Sequence, residues 1–400
     1  MPPLRIQLVQ SAAERRRFIR FPWQVYRGRP RDPHWVPPLL SEREAFFDPE
    51  RGPYYRHADV QLFLAWRGEA LVGTIAAHIN HLHNRTHGER IGFFGFFEVL
   101  DDAEAAQALL GAAADWVRER GYQAIRGPMN FSINDECGLL IEGFDDMPAA
   151  MMTYNPPRYI AYVEQAGFRK TIDLYAWIVS AGAFDPARDA RGRPSKLARV
   201  AGSVIQNNRV AFRQPAMADF AAEVERAWNI YNTAWAGNWG AIPMTREEFQ
   251  HLTDSFKPFL DPNLMLFAEI DGRPVGMLIA IPDINYPLLH MNGRLWPFGW
   301  AKFLWHKRRI SRLRVIVMGV LPEYRLRGID AVLYQRIKEQ GVAHGYTSAE
   351  MSWILETNDV MNNTIAMLGG RKYKTYRIYD LALTPDYVHP DPRASHPAPR

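Results

Sequence analysis

Arg325, Leu326, Arg327 and Gly328 stand between an apolar run, "RVIVMGVLP" (314–322), and a stretch with helical spacing that starts at Ile329. A turn between a buried strand and a helix aims unpaired backbone N–H groups outward, and the helix start adds partial positive charge. Glycine at 328 lets a bulky anion approach the backbone, and two guanidinium groups supply charge at the rim. The chemistry on offer is phosphate binding. Alone, the same pattern describes a solvated basic turn equally well.

A second collection is acidic. "NFSINDECGLLIEGFDD" (130–146) gathers Asn134, Asp135, Glu136 and Glu142, with Tyr154 and Asn155 following soon after. Carboxylates this dense could hold a cationic amine or act as a general base, and they could equally cap a loop. Glu350 lies on "AEMSWIL" (349–355) and Glu356 just after it. Strand alternation puts Glu350, Ser352 and Ile354 on one face and Met351, Trp353 and Leu355 on the other. "HINHLHNRTHGER" (78–90) holds His78, His81, His83 and His87. It is taken as a polar hairpin end that needs no metal, since no cysteine or consistent helical spacing accompanies it. "GRLWPFGWAKFLWHKRRISRLR" (293–314) has seven basic residues, and no acid occurs between Asp283 and Glu323. Trp296, Trp300, Phe303 and Leu304 form one helical stripe beside Lys302, Lys307, Arg308 and Arg309. Such a stripe suits an anionic membrane surface, or a helix docked on the protein's own core with its basic face in water. The absence of a recognised module argues against nucleic acid.

These residues need scaffolding, and 400 residues are enough for two domains. Hydrophobic content of 47% with 23% charged residues is that of a folded protein, and a net charge of +5 leaves room for an anionic ligand. Cys137 is the sole cysteine, which excludes a disulfide framework and a thiolate metal site. "MPPLRIQLVQSAAERRRFIRF" has no apolar core of signal length, and no run reaches the roughly 18 apolar residues of a spanning helix. The expectation is a cytoplasmic protein, with peripheral contact at the inner membrane left open.

The chain contains one unit twice. "FLAWRGEALVGTIAAHIN" (63–80) matches "LFAEIDGRPVGMLIAIPDIN" (266–285), and "AGFRK" (166–170) matches "LGGRK" (368–372). The offsets are 276 − 73 = 203 and 369 − 167 = 202 for the aligned glycines, a spacing that implies a duplicated domain. Each copy reads strand, strand, strand, helix, strand, helix, strand, with helices also expected over 219–237 and 245–259 and a hairpin at Asp271-Gly272. The resulting division is 1–60 as a partly extended wrapping segment, 60–180 as the first domain, 181–200 as linker, 201–383 as the second domain and 384–400 as an unfolded Pro-rich tail. The fold class is α/β in a mixed α+β arrangement: two domains, each a twisted mixed β-sheet flanked by helices.

The order strand, "RLRGIDA", helix, strand, then "ETNDVMNNTIAMLGGRKYKTYRIYD" resembles the GCN5-related N-acyltransferase (GNAT) superfamily. In that family Q/R-x-x-G-x-G/A holds the pyrophosphate of acyl coenzyme A. The resemblance puts Arg325, Gly328 and Asp330 at its marked positions and assigns Leu326, Arg327, Ile329, Ala331, Met318 and Val320 to the coenzyme. Asp330 departs from the small residue usual there. Asn358 and Leu368-Gly369-Gly370 match the second motif, while Ile365 stands where a thiolate-protonating Tyr is common. The first copy has Asp101 and Asp102 where basic residues would sit, so it is expected to be a degenerate copy without coenzyme. The phrases "GFFGFFEVLDD", "RGPMNFSINDECGLLIEGFDD" and "MMTYNPPRY" resemble a bacterial group of tandem acyltransferases that includes bacterial ceramide synthases. The implied activity is acyl transfer from acyl-CoA to an amine, with a long-chain lipid amine as the suggested acceptor. Glu350, Glu356, Asn358, Glu136 and Asp135 are the candidate catalytic residues, and Asn134, Tyr154, Trp239 and Trp353 the candidate acceptor contacts. A tandem aminoacyl or peptidyl transferase using charged tRNA, and a non-catalytic binding protein of this fold, are the alternatives.

Overall fold

The computed structural model describes residues 2–28, 31–182, 199, 202–205 and 210–393, and its contacts divide into two compact units. Most of the expected linker, 181–200, lies outside the described residues.

The first unit comprises Met1–Leu174, Asn285–His306 and Lys374–Arg400. Its strands are β1 (Leu4–Leu8), β2 (Ala58–Arg67), β3 (Ala70–Asn80), β4 (Ile91–Val99), β5 (Ala124–Gly127), β6 (Leu139–Glu142) and the start of β7 (Arg169–Ser180). β1 to β4 pair antiparallel in succession, and β5 then joins β4 in parallel. The second unit repeats the plan with β8 (Val210–Arg213), β9 (Met265–Ile270), β10 (Arg273–Pro282), β11 (Arg312–Val320) and β12 (Ser348–Leu355). Its first four strands are antiparallel neighbours, and β12 lies parallel to β11. The duplication seen in sequence is therefore a duplication of sheet order. The mixed α+β class expected from sequence is present.

The compact units do not follow the sequence copies at their ends. β13 (Arg371–Ala382) closes the second copy in sequence, yet from Lys374 onward it belongs to the first unit and pairs with β5 and β6. β7 closes the first copy, yet from Tyr175 onward it belongs to the second unit. There Val179 joins the core and Trp177 Nε1 donates to Asn362 Oδ1 at 3.0 Å.

Each sheet buries one face beneath a long amphipathic helix. In the first unit the Ala103–Glu119 helix sets Ala106, Leu109, Ala113 and Val117 against Phe63, Val72 and Ile75. In the second, Val332, Leu333 and Ile337 of the Ile329–Ala343 helix meet Leu266, Leu278 and Val315, while Ala227 and Ile230 of the Phe220–Trp235 helix meet Phe267 and Met277 on another face. Burying each of the larger of these side chains, Val, Leu, Ile, Phe and Met, contributes roughly 1.5–3 kcal/mol.

Four expectations change. The first sixty residues include β1 and helices at Ala12–Arg20, Pro22–Tyr26 and Leu40–Phe46, the first fixed by a Ser11/Glu14 capping box. The histidine-rich end of the β3–β4 hairpin is not an open turn but a helix, His81–His87, capped by Asn80. The described start of the tail is tied down: Tyr387 donates to Asp380, and Gln123 Nε2 donates to Asp386 at 3.0 Å. The basic run does not form one helix; Gly299–Lys307 is helical, whereas Arg312 and Arg314 enter β11. Among the described residues no helix is long and apolar enough to cross a membrane.

Candidate active site

In the second unit β11 and β12 pair only from Arg312–Ser348 to Val315–Met351, although the strands run on to Val320 and Leu355. Opposite, β10 steps from Ile279↔Val317 to Ala280↔Val315, leaving Ile316 out of register. Such a bulge re-aims a strand, and here it accompanies a gap at the sheet's centre. Leu321 N–H donates to Val275 O at 2.8 Å, toward β10. By strand alternation the N–H groups of Val320 and Met318 point to the other edge, where the pairing with β12 has ended. Gly319 has no side chain for a close-range reason: a Cβ there would come within 2.6 Å of the Trp235 ring.

After Val320 a 3₁₀ turn, Pro322–Tyr324, leads to Gly328, the N-cap of the Ile329–Ala343 helix. Gly328 has φ +77° and gives no side-chain cap, so no side chain of the cap residue claims the first-turn N–H groups. Arg325 is exposed at the turn and also bonded to backbone. It donates to Val320 O at 3.3 Å and to Ala234 O at 2.5 Å, fastening the turn to the strand end and to the preceding helix. Arg327 is exposed, lies over the Tyr324 ring at 5.0 Å and donates to Glu323 O at 3.1 Å. Leu326, with φ +59°, is 83% exposed at the tip. Asp330 sits in the helix's first turn, where a carboxylate favours the helix and opposes a second anion. Ile329 is buried and Ala331 follows half-buried on the same turn.

Glu350 faces no solvent. It is fully buried, accepts from Arg314 Nη1 at 2.7 Å and from Ser352 Oγ at 2.6 Å, and burial pushes its carboxyl up despite Arg314. Arg312 pairs nearby with buried Asp283 at 2.8 Å. These charges sit where β11 and β12 still pair, just before they part. Glu356 lies half-buried past the end of β12. Trp353 Nε1 and Thr357 Oγ1 are buried with no partner among the described residues. Asn358 caps the Asp359–Met367 helix, accepting from Met361 N–H at 3.2 Å. Ile365 is fully exposed to the core and not to solvent, so no acid acts from that position. Trp239 is buried after the Phe220–Trp235 helix.

The remaining predicted residues lie in the first unit. Glu136 is held by Arg43 at 2.6 Å, and Asp135 accepts from Ser132 N and Oγ at 3.1 and 2.8 Å. Asn134 N–H donates to Ser132 Oγ at 3.1 Å, and Tyr154 donates its hydroxyl to Asp32 at 3.0 Å. Glu142 accepts from Thr375 Oγ1 at 2.5 Å. These contacts tie loops together. His83 pairs with Glu89 at 2.7 Å, and burial pushes the His78 and His83 imidazoles down to about 3 and 4, which keeps them neutral near pH 7.

Sequence reasoning missed Glu98, although a single acid inside the apolar run "GFFGFFEVL" was a signal. Its carboxylate accepts from the hydroxyls of Tyr26 and Tyr159 at 2.9 and 3.0 Å, and desolvation pushes it up to about 8. Tyr159 also takes the Val99 N–H at 2.6 Å. At the following helix start, Asp102 caps with Ala105 N–H at 3.0 Å and is gripped by Arg67 Nε at 2.7 Å. The first copy thus has its strand end and helix start filled by its own side chains.

A parted pair of parallel strands with a bulge beside it, in a sheet order that occurs twice and leads in the second copy to a glycine-capped helix, defines a tandem GNAT-fold protein of the acyltransferase class. The chain covers 96% of itself and 100% of a tandem GNAT protein from the clavulanic acid biosynthesis pathway, determined without AcCoA, at a TM-score of 0.55 and 11% identity. It is 37% identical over 371 residues to Protein YghO of Escherichia coli K12, spanning 91% of each chain. It is 36% identical over 386 residues to the bacterial ceramide synthase of Caulobacter vibrioides, spanning 94% of this chain and 96% of that protein. The chain belongs to the family of these two proteins. No protein-family model matches it.

Proposed function

We propose that this chain transfers an acyl group from acyl-CoA to an amine, with a long-chain lipid amine as acceptor. The observation that carries the reading is the glycine-capped helix start that follows the parted end of β11, where the first copy has the Asp102 side chain as cap instead. Pyrophosphate would rest on the N–H groups that open the Ile329–Ala343 helix, with Gly328 allowing close approach. The thioester oxygen would accept from Val320 or Met318 N–H, a fixed dipole aimed where negative charge develops.

An ammonium has no lone pair, so the acceptor must first lose a proton. Glu350 is already bound to Arg314 and sealed from solvent, which suits holding the strands where they part. Glu356, half-buried at the end of β12, is assigned as the base, directly or through water. The amine nitrogen bonds the carbonyl carbon, the C–S bond breaks, the thiolate leaves with the electron pair, and the nitrogen gives its second proton to water as the amide forms. A thiol of ordinary pKa, about 8.5, can leave without a donor at the Ile365 position. Trp353 and Thr357, with unpartnered polar atoms, are assigned to the acceptor side. The lipid character of the acceptor is supported by the naming of the Caulobacter relative and by the aromatic segment 286–305. Acyl-CoA is a cytoplasmic metabolite, so the reaction belongs there, against the inner membrane if the acceptor is a lipid.

Calorimetry with acyl-CoA on the wild type, Gly328→Glu and Arg327→Glu tests this. Binding is expected in the wild type and weakened about 100-fold or more in Gly328→Glu, with thermal unfolding confirming a folded chain. A wild type that binds no CoA thioester sinks the reading. Free-thiol release with a sphingoid amine against a lysine peptide then decides the acceptor.

A further inference from the structure

The segment 285–306 is an insertion between β10 and β11 that has no counterpart between β3 and β4 beyond the short His81–His87 helix. Its base is built in. Asn285 Nδ2 donates to Pro148 O at 2.9 Å, Trp23 Nε1 donates to Asn292 Oδ1 at 3.1 Å, and Leu40 N–H donates to Gly293 O at 2.9 Å. His290 and His306 stack at 3.8 Å, bracing the Asn285–Met291 helix against the Gly299–Lys307 helix. The tip is the opposite. Leu295, Trp296, Phe298, Trp300, Leu304 and Trp305 are all exposed, Trp296 by 74%, Phe298 by 72% and Trp305 by 64%. They account for six of the large apolar side chains left in solvent, in eleven consecutive residues. A contiguous cluster of this kind on one element is an interaction surface and not ordinary surface scatter.

Charge identifies the occupant. Arg294, Lys302 and Lys307 are exposed on the same element, Arg308 and Arg309 follow, and no acid lies between Asp283 and Glu323. A second copy of the chain docking here symmetrically would set this basic rim against itself. We propose that the anchored 294–307 element inserts its tryptophans and Phe298 into the interface of an anionic bilayer, with Lys302 and Lys307 on the headgroups. Because the base is already fixed, insertion orders little chain. The inference deepens the lipid-acceptor reading by naming how the enzyme reaches its substrate, yet it is tested apart from it.

Co-sedimentation with phosphatidylcholine vesicles, with and without phosphatidylglycerol, is run on the full chain, Trp296→Ser/Phe298→Ser and Lys302→Glu/Lys307→Glu. The wild type is expected to bind the anionic vesicles, less so as salt rises. The charge variant should bind them roughly 10- to 100-fold more weakly, and the apolar variant at least about 10-fold more weakly at any salt. Acyl-CoA calorimetry should give wild-type values for both variants. A wild type that ignores anionic vesicles, variants that bind like the wild type, or a dimer by light scattering that Trp296→Ser/Phe298→Ser dissolves would each overturn the proposal. A chain that binds acyl-CoA but no vesicles loses this inference alone; one that binds vesicles but no acyl-CoA loses the acyltransferase reading alone.

Discussion

Val99 and Val320 occupy the same place in the two copies: Gly73 faces Val99 across β3 and β4 as Gly276 faces Val320 across β10 and β11. In the first copy the Val99 N–H is taken by the Tyr159 hydroxyl, which Glu98 accepts from in turn. The offset of 202 that carries Gly167 onto Gly369 carries Tyr159 onto Met361, whose sulfur instead accepts from Tyr334 at 2.9 Å. One helix later the contrast repeats, Asp102 with its Arg67 clamp against Gly328 with nothing. The first copy satisfies its own backbone and is closed to an anion. The second copy puts no such side chain there: Met361 stands in the place of Tyr159, and Gly328 gives no side-chain cap. Duplication supplied one sheet plan twice, and under the proposed reading a few side chains decide which copy takes the coenzyme.

The largest effect should come from the charges at the point where β11 and β12 part. Glu350→Ala leaves Arg314 buried without its carboxylate and is expected to cost about 3–5 kcal/mol in denaturant unfolding. A loss under 1 kcal/mol would mean the pair does not hold the strands. Next, Met361→Tyr rebuilds the first copy's plug in the second. Thiol release should fall roughly 10- to 100-fold, about 1.4–2.7 kcal/mol of barrier, with acyl-CoA affinity much less changed. Unaltered turnover would break the equivalence of the two strand ends.

Glu98 gives the closed copy a pH signature. Its folded pKa of about 8 lies above the ordinary carboxyl value, so between roughly pH 4.5 and 8 the folded state binds more protons than the unfolded one. The stability that protonated Glu98 contributes is therefore present below about pH 4.5 and lost as pH rises through 8. Glu98→Gln should remove on the order of 2 kcal/mol of that decline, allowing for partial exposure, as read by thermal unfolding across the range. An unchanged pH slope would show that Glu98 stays ionised. The smallest effect belongs to Asp330→Ala, which removes a like charge from the anion site and should tighten acyl-CoA by about 0.3–1 kcal/mol in calorimetry. Weaker binding would instead make Asp330 a ligand contact.

Much of this was legible in the sequence, and for identifiable reasons. Continuous apolar runs such as 314–322 gave the buried strands, and paired Val-Gly positions at 72–73 and 275–276, each just after a turn, gave the duplication. The Arg-Leu-Arg-Gly turn was found, but its division of labour was not. Arg325's reach to Ala234 O depends on a helix about ninety residues earlier in the chain, which no local pattern reveals. The Ala12–Arg20 helix was overlooked because its four arginines and glutamate masked the capping box at Ser11. Glu350 was read as a candidate catalytic acid, since alternation gives a face and not what covers it, and the burial against Arg314 was not visible. Tyr159's role needed the fold itself, because it joins β4 to a helix sixty residues later.

The crossing over of β7 and β13 has a consequence for how this protein can be divided. Residues 1–174 expressed alone would lack the Lys374–Ala382 strand that pairs with β5, and residues 210–373 would lack the Tyr175–Ser180 strand. Neither gene half encodes a self-sufficient fold. Losing either copy would therefore remove a strand from the unit that remains and expose a raw sheet edge there, and open edges invite aggregation. Interlocking termini make the duplication a ratchet that point mutation can decorate but deletion cannot reverse.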